Sequence, residues 1–540
     1  MAMTSVMGVD ASEIRRVGPL LMVAVEGTTL SAEAAAWLRE RDVAGVTLYR
    51  HGKVEDPAQV RALTDALQEA ASGRDPLLVA IDQEGGQLLG LGEGSTPFAG
   101  NMALGATADD RLAERVGHAI GLELRAVGVN VNYAPVCDVA SDPENPSLGI
   151  RSFGDDPVVV GRFAAATVRG LRSAGVAATL KHFPGKGAAR TDPHYGLPTL
   201  DHDRAHLDAV ELVPFRAGIT EGAPLVMVGH YDIPRVTGRP GLPSSLSEEV
   251  VDGLLRDDLG FEGVVITDAL DMGALPQGSE LPDAAVEAVR AGSDLLLCPR
   301  EAADRDAIAS GLARAVADGR LDRRRVQASV ERVAEVRRAV GREHPVLDVV
   351  GCAGHRELAR ELAERSVTLV RAEPGILPIR LEPHATVLTV MPRPHDRTPA
   401  DTSGTVPPGL ADAIREHHER VSSFVTSSRP DANEITEVRD RSAEADLVVI
   451  GTIDAWSEPA QAALVESVLA TGTPCVTVAL RTPFDLASYA SSSTHVCTYG
   501  LLRPSLVALG DALFGRIPFR GVLPVAIPGL YERGHGSSVA

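Results

Sequence analysis

Positive charge is scarce in this sequence. The 540 residues include 52 lysines and arginines against 73 aspartates and glutamates, and the formal net charge is −21 at pH 7. A protein that binds nucleic acid needs a basic surface to neutralise phosphates, so this balance argues against a nucleic-acid partner. The acidic excess identifies no partner by itself, because acidic surfaces mostly serve solubility.

Long hydrophobic runs are absent as well. No apolar stretch is long enough to span a bilayer, and the first residues lack the basic start and apolar core of a secretory signal peptide. The sequence therefore predicts no membrane partner and a cytoplasmic location.

Cysteine is rare and unpatterned. No pair of cysteines has metal-ligand spacing, and buried free thiols are the default for such a set. This agrees with a reducing compartment. The five cysteines are Cys137, Cys298, Cys352, Cys475 and Cys497.

Three catalytic signatures are missing. Residues 90–94 are glycine-rich but contain no Gly-x-Gly-x-x-Gly, so nucleotide binding is not expected. His417 and His418 lie in a polar helical segment without His-Glu-x-x-His, which leaves metal catalysis unsupported. The serines at 244–245 and 491–493 lack the strand-turn-helix elbow of a hydrolase nucleophile. We expect neither a cofactor nor a metal site.

The chain is too long for a single hydrophobic core, so two domains are expected. Its first two-thirds alternate β-branched apolar runs with helical stretches. Continuous apolar strands separated by helices predict a parallel (β/α)8 barrel of the TIM type, because antiparallel strands would alternate in polarity. The eight runs are residues 19–25, 43–49, 77–82, 129–136, 176–180, 224–229, 263–268 and 294–297.

A charged helical segment at residues 302–340 leads to a polar break at residues 341–345, where we predict the domain boundary. The barrel domain then comprises residues 1–343, and a smaller α/β sandwich domain comprises residues 344–540. Its apolar strands are predicted at residues 366–370, 385–390, 446–451 and 474–480. Residues 392–405 are predicted as a surface loop and residues 534–540 as a loose tail.

Acid/base-capable side chains occur where the predicted barrel strands end, which is where barrel enzymes keep their active sites. Asp268 follows a run of Val and Ile, where it is either a catalytic carboxylate or the cap of a helix beginning at Ala269. Lys181 needs polar partners there, either a ligand or a structural ion pair. The polar strand-end residues are Asp82, Glu84, Asp138, Lys181, His182, His230 and Asp268. Of Asp82 and Glu84, one binds ligand and the other caps the turn at residues 85–86.

A second candidate group is the loop that carries Asp192 and His194. Histidine both donates and accepts protons near neutral pH, and a neighbouring carboxylate orients the ring. The alternative is a loop histidine packed beside Pro193. Together with Asp268, these residues place acid/base groups at two separate strand ends, which indicates glycoside chemistry.

Five ordered motifs resemble those of glycoside hydrolase family 3, in particular its β-N-acetylglucosaminidase branch. The resemblance covers most of the chain. Residues 521–525 and 527–529 resemble the end of the family's second domain. The motifs are Asp82-Gln83-Glu84-Gly85-Gly86, Ala134-Pro135-Val136-Cys137-Asp138, Arg151-Ser152-Phe153-Gly154, Lys181-His182-Phe183-Pro184-Gly185 and Thr267-Asp268-Ala269-Leu270-Asp271-Met272.

The resemblance implies roles for seven residues. Asp268 matches the nucleophile that forms a covalent glycosyl-enzyme, and His194 matches the general acid/base, which Asp192 assists. Four further residues match positions that bind the sugar: Asp82, Arg151, Lys181 and His182.

Three positions depart from the family pattern. Gln87 stands where arginine is usual, Lys186 replaces a second histidine, and Pro193 replaces a serine between the dyad members. Gln87 and Lys186 put the preferred aglycone and the acceptor in question, and Pro193 stiffens the dyad loop.

The sequence thus predicts an exo-acting, retaining β-N-acetylglucosaminidase, with cell-wall fragments or chito-oligosaccharides as the implied carbohydrate partners. One alternative is an N-acetylglucosaminide phosphorylase, because a neutral histidine base adds no negative charge that would repel phosphate. The other is a catalytically silent sugar-binding protein. The sequence sets no oligomeric state.

Overall fold

The structure is a computed structural model that describes residues 11–50, 54–341 and 343–538. Eight short parallel strands form the larger of its two main sheets. They are β1 Leu21–Val23, β2 Gly45–Leu48, β3 Leu78–Ile81, β4 Val131–Asn132, β5 Ala177–Phe183, β6 Leu225–Val228, β7 Val264–Thr267 and β8 Leu296–Leu297. Every residue of these strands is buried, as expected for a parallel sheet covered on both faces.

The eight strands follow one another around the sheet in the order β8-β1-β2-β3-β4-β5-β6-β7. A parallel bridge between Ile266 and Leu295 joins β7 to the segment that leads into β8, which closes the sheet into a barrel. The prediction of a TIM-type barrel is confirmed. Seven of the eight predicted apolar runs contain a whole strand, and the run at 176–180 contains the start of β5, which continues to Phe183.

Helices follow the strands and cover the outside of the barrel. Aspartate caps five of them, because its side chain accepts hydrogen bonds from free backbone N–H groups at the helix starts. The capping residues are Asp56, Asp109, Asp156, Asp203 and Asp322. The α- and π-helical segments of this part are Ala11–Val17, Ala32–Arg41, Pro57–Ala70, Asn101–Ala106, Asp110–Ala126, Pro157–Ser173, Arg204–His206, Leu207–Glu211, Leu212–Thr220, Pro234–Thr237, Glu249–Asp258, Leu281–Ala291, Ala302–Ala317 and Arg323–Ala339, and the short 3-10 turns are Gly18–Leu20, Gly149–Arg151, Ser244–Leu246 and Gly278–Glu280.

A second sheet of six strands lies C-terminal to the barrel. Its order is β9-β14-β13-β12-β10-β11, with β9 antiparallel to β14 and the other neighbours parallel. The strands are β9 Thr368–Arg371, β10 Val387–Pro392, β11 Val421–Thr426, β12 Leu447–Thr452, β13 Cys475–Ala479 and β14 His495–Cys497. The helices around it are Ala353–Ser366, Leu410–Arg415, Ala432–Ala443, Pro459–Leu469 and Arg503–Leu513.

Sequence patterning located four of these six strands. It missed β11, whose serines make it polar and partly exposed, and β14, which has only three residues. The predicted boundary at residues 343–344 stays a prediction, and Arg342 beside it lies outside the described residues.

Two predictions about loops are wrong. Residues 392–405 are not simply a surface loop, because Thr402 is buried against the barrel, where its Oγ1 donates to Gln87 O (3.0 Å). The described part of the C-terminal tail is held in place, since Ser537 N donates to Leu369 O at 2.8 Å. Residues 539–540 of the predicted tail lie outside the described residues.

In the part of the chain that the structure covers, no helix is both long enough and apolar enough to cross a bilayer.

Candidate active site

A cavity of about 430 Å³ opens at the C-terminal ends of the barrel strands. This volume lies in the range of small-molecule sites. Six of the seven predicted site residues line it: Asp82, Arg151, Lys181, His182, His194 and Asp268. The seventh, Asp192, lies behind His194 and contacts it. Residues separated by up to 186 positions in the sequence therefore meet in one site.

Asp268 stands directly after β7. The helix-cap alternative is wrong, because no helix starts at Ala269: the next helical turn is Gly278–Glu280, which leads directly into the helix Leu281–Ala291. The carboxylate accepts a hydrogen bond from Ala269 N through Oδ1 (2.8 Å). Its other oxygen, Oδ2, has no hydrogen-bond donor among the described residues.

The environment of Asp268 keeps it ionised. Burial by itself would raise the pKa of Asp268, but the neighbouring imidazoles of His182 and His230 and the Ala269 N–H group lower it below its usual value. His230 also supports this loop, because its Nε2 lies 3.1 Å from Ala269 O and its Nδ1 lies 2.7 Å from Ser245 Oγ. An ionised carboxylate with one uncommitted oxygen is suited to nucleophilic attack.

His194 and Asp192 form a close pair. Nδ1 of His194 lies 2.7 Å from Asp192 Oδ1, and the same oxygen accepts the backbone N–H of His194 at 3.0 Å. Burial would raise the pKa of Asp192, but its hydrogen bond with His194 and the nearby Lys186 lower it. An ionised Asp192 fixes the proton on Nδ1 and leaves Nε2 for proton transfer.

The dyad loop is joined by its backbone to the loop that follows Asp268. Gly273 N donates to His194 O and Ala274 N donates to Pro193 O, each at 3.1 Å. Gly273 permits this approach, because a Cβ at that position would lie 2.9 Å from His194 O. These contacts hold the two loops, and with them His194 and Asp268, in a fixed relation.

A buried carboxylate, Glu84, organises two cations of the site. Arg151 donates to both Glu84 oxygens at 2.9 Å, and Lys181 Nζ lies 2.6 Å from Glu84 Oε1 and 2.5 Å from Asp82 Oδ1. Burial opposes the charge on Glu84, but Arg151 and Lys181 hold its pKa well below the usual range. The sequence left open which of Asp82 and Glu84 binds ligand and which caps the turn. In the structure Asp82 faces the cavity, whereas Glu84 anchors the two cations instead of capping the turn.

His182 is held by a second buried carboxylate, Asp138. His182 Nδ1 lies 2.7 Å from Asp138 Oδ2, and Arg151 Nη2 lies 3.4 Å from His182 Nε2. Burial and the nearby cations Lys186 and Arg151 lower the pKa of His182 well below its usual value. A neutral ring that donates from Nδ1 and accepts at Nε2 satisfies both contacts.

Lys186, one of the three departures from the family pattern, lines the cavity and is 2% exposed. Burial lowers its pKa to about 8, and Arg151 acts in the same direction. Its ammonium forms no hydrogen bond or ion pair with the described residues, although Asp138, Asp192 and Asp268 are close enough to raise its pKa. Lys186 therefore presents a cationic donor to whatever occupies the cavity.

A loop that follows strand β10 of the second sheet forms part of the cavity wall. The sequence did not predict this contribution. Pro399, Ala400 and Thr402 line the cavity, and Thr402 Oγ1 accepts from Leu89 N at 3.1 Å. The departure Gln87 lies at this contact, where its Oε1 accepts from Arg481 Nη2 at 2.5 Å. No local sequence signal marks such a contact, because it joins segments more than 300 residues apart.

The structure also brings Tyr49, Tyr133, Arg300 and Asp271 to the cavity, none of which the sequence analysis singled out as a ligand-binding candidate. Arg300 stacks over the Tyr49 ring with its guanidinium carbon 4.2 Å from the ring centre.

Among the described residues, the one cluster with metal-ligand chemistry, His202, His206 and Glu211, lies outside this cavity lining.

Known proteins of one family are similar to this chain. The sequence profile of the glycosyl hydrolase family 3 N-terminal domain matches residues 14–336. Beta-hexosaminidase A of Pseudoalteromonas piscicida is 36% identical over 380 residues, which are 65% of this chain and 63% of that protein's length. A beta-N-acetylglucosaminidase/beta-glucosidase of Cellulomonas fimi is 32% identical over 504 residues, 87% of this chain and 86% of the relative.

A solved structure is similar over nearly the whole chain. The glycoside hydrolase family 3 β-N-acetylglucosaminidase from Paenibacillus sp. str. FPU-7 superposes with a TM-score of 0.90 at 36% identity, covering 95% of this chain and 98% of that one. The profile match extends over more than half of the chain, and the Cellulomonas relative extends the similarity into the second sheet. This chain therefore belongs to glycosyl hydrolase family 3.

Proposed function

We propose that this protein is an exo-acting, retaining β-N-acetylglucosaminidase. The observation that carries the proposal is the cavity in which an ionised Asp268 faces the His194–Asp192 pair from an adjoining loop. The names of its relatives, β-hexosaminidase and β-N-acetylglucosaminidase, support the substrate class. Terminal β-linked N-acetylglucosamine on cell-wall fragments or chito-oligosaccharides is the proposed substrate.

The first half of the proposed reaction forms a bond to Asp268. Its Oδ2 attacks the anomeric carbon while His194 Nε2–H protonates the glycosidic oxygen, so the aglycone leaves as a neutral alcohol. In the second half, neutral His194 takes a proton from water, and the resulting hydroxide equivalent displaces the Asp268 carboxylate. Two inversions at one carbon give net retention.

The cation cluster has a positioning role in this proposal. Glu84 fixes Arg151 and Lys181 so that their remaining N–H groups, with the second oxygen of Asp82, face the sugar hydroxyls. The barrel core closes the cavity from below and the loop at residues 399–402 forms part of its wall.

Two further parts of the proposal concern context. The five cysteines are free thiols, which supports a reducing, cytoplasmic compartment. The polar break before the helix Ala353–Ser366 supports a division into domains at residues 343–344.

Turnover of an aryl β-N-acetylglucosaminide by the purified protein, with and without phosphate, tests the proposal. Free N-acetylglucosamine released at a phosphate-independent rate is expected. N-acetylglucosamine 1-phosphate as product would make the protein a phosphorylase, and sugar binding without turnover would make it a silent binding protein.

Covalent trapping tests the assignment of the nucleophile. A 5-fluoro-N-acetylglucosaminyl fluoride should label the peptide that contains Asp268, and Asp268→Asn should abolish both labelling and turnover. Asp257→Asn is the matched control, because Asp257 is exposed and lies away from the cavity. A label on any other carboxylate would overturn the assignment.

A further inference from the structure

A second cluster of chemically active side chains lies just after the dyad loop. The chain forms one helical turn, Arg204–His206, and a π-helical stretch, Leu207–Glu211. These place His202, His206 and Glu211 together, with one coordinating atom from each within 4.8 Å of the others. The two imidazole rings stack with centroids 3.9 Å apart and planes inclined by 13°.

Four potential ligand atoms of this cluster lack hydrogen-bond partners among the described residues. The Nε2 atoms of His202 and His206 and both carboxylate oxygens of Glu211 are buried, and none of them forms a hydrogen bond with the described residues. Glu211 is only 1% exposed. Burying a carboxylate without donors is costly, so a native site of this kind requires an explanation.

A simple ion pair does not satisfy the cluster. His206 Nε2 lies 3.8 Å from Glu211 Oε1, which is too long for a hydrogen bond. Even if a protonated His206 moved closer, His202 Nε2 and the second Glu211 oxygen would stay unmatched. Protonation of Glu211 is no better, because one carboxylic acid proton serves one acceptor. A divalent cation binds two imidazole lone pairs and a carboxylate at once, which matches the three side chains brought together here.

The donor set identifies the class of cation. Two histidines and one carboxylate, completed by solvent, form a common tetrahedral zinc ligand set, with bonds of about 2.0–2.2 Å. Such bonds place ligand atoms about 3.4 Å apart, so side-chain movements on the order of 1 Å would close the site. The His206 side chain is 36% exposed although its Nε2 is buried, so the cluster lies close to the solvent that would supply the fourth ligand. We propose that His202 Nε2, His206 Nε2 and the Glu211 carboxylate bind one Zn²⁺.

The position of this site assigns it a structural purpose. Glu211 packs against Gly185, where a Cβ would lie 2.3 Å from Glu211 Oε2. Gly185 immediately precedes Lys186 in the loop that lines the cavity. None of the three ligands lines the cavity, so the metal fastens the helical segment under that loop and takes no part in bond cleavage. The inference is independent of the proposed glycosidase function.

Metal binding to the full-length protein tests the site directly. Protein made without a polyhistidine tag is dialysed against EDTA and titrated with Zn²⁺ by calorimetry, with Co²⁺ absorption as a report on the ligands. One Zn²⁺ per chain is expected, together with a Zn²⁺-dependent rise in the temperature of unfolding. His206→Gln should weaken binding by at least about 10–100-fold and abolish that rise.

Two further variants make the result decisive. Glu211→Gln keeps the side-chain volume and should also lose the metal, whereas His384→Gln, at an exposed loop position, should bind Zn²⁺ like the wild type. If Glu211→Gln does not fold, the partly exposed His206 variant still decides the question. Absence of a saturable site, or undiminished binding by His206→Gln, would overturn the proposal.

Discussion

Replacing Asp192 by Asn removes a negative charge from the dyad while keeping its geometry. Oδ1 of Asp192 accepts both the backbone N–H and the Nδ1–H group of His194, and Oδ2 has no hydrogen-bond partner among the described residues. The amide oxygen of Asn therefore takes the Oδ1 position, because an NH2 group there would face two donors. The ring keeps its orientation and tautomer.

The expected loss follows from the charge alone. A hydrogen bond to a charged partner contributes about 1.5–3 kcal/mol against roughly 1 kcal/mol for a neutral one. Losing about 1–2 kcal/mol of imidazolium stabilisation lowers kcat by roughly 5–30-fold. Asp192→Ala leaves the ring unoriented as well, and its loss should approach the full contribution of general acid catalysis, about 10²–10⁴-fold.

Leaving-group dependence separates this effect from a general disturbance. The defect should be large for a phenyl β-N-acetylglucosaminide, whose aglycone needs a proton, and small for the 2,4-dinitrophenyl compound, whose aglycone leaves as a stable anion. Glycosylation rates from single-turnover kinetics provide the comparison. An equal loss for both substrates, or an Asn variant as impaired as the Ala variant, would refute the reasoning.

Three other predictions concern the surroundings of the dyad. Glu84→Gln should lower the free energy of unfolding by about 3–5 kcal/mol, because buried Arg151 loses its carboxylate partner and Lys181 keeps only Asp82. Since the folded pKa of Glu84 is lowered, the wild-type stabilisation is present above about pH 4.3 and is lost at lower pH; a change in the free energy of unfolding below about 1 kcal/mol would contradict this. The Lys186 pKa of about 8 makes its ammonium charged below that pH. Lys186→Met should therefore remove the part of the alkaline fall in kcat/KM that is centred near pH 8, and an unchanged pH profile would disprove a role in binding. Gly273→Ala brings a Cβ to 2.9 Å from His194 O and should reduce kcat on the order of 10²-fold. The control is Gly354→Ala, where no atom lies within 4 Å of the added Cβ, and this variant should behave as wild type. Equal activity of the two variants would refute the fixed relation of the loops.

The barrel and its catalytic end were predictable from the sequence because they depend on local patterns. Continuous apolar runs followed by polar residues predict buried parallel strands with functional C-terminal ends, and Asp82, Lys181 and Asp268 all lie at such ends. The second sheet was harder to predict. Its polar edge strand β11 lacks the alternation or continuous apolarity on which a strand prediction depends.

The motifs also determined which residues belong to the candidate site, since six of the seven line one cavity and the seventh contacts it. Their division of labour was not readable from spacing. Glu84 and Asp82 are two residues apart, yet one is buried between two cations and the other faces the cavity. Burial and the identity of distant partners decide such a difference, and neither is a property of the local sequence.

The sequence by itself determined the fold class, the strand ends and the residue types available for proton transfer. Only the tertiary structure decided that the dyad loop is bonded to the Asp268 loop, that the loop at residues 399–402 reaches the barrel cavity, and that His202, His206 and Glu211 meet. The reason is physical. Periodicity and chain propensity act over a few residues, whereas a site is made by contacts between segments that only the packing of the whole chain brings together.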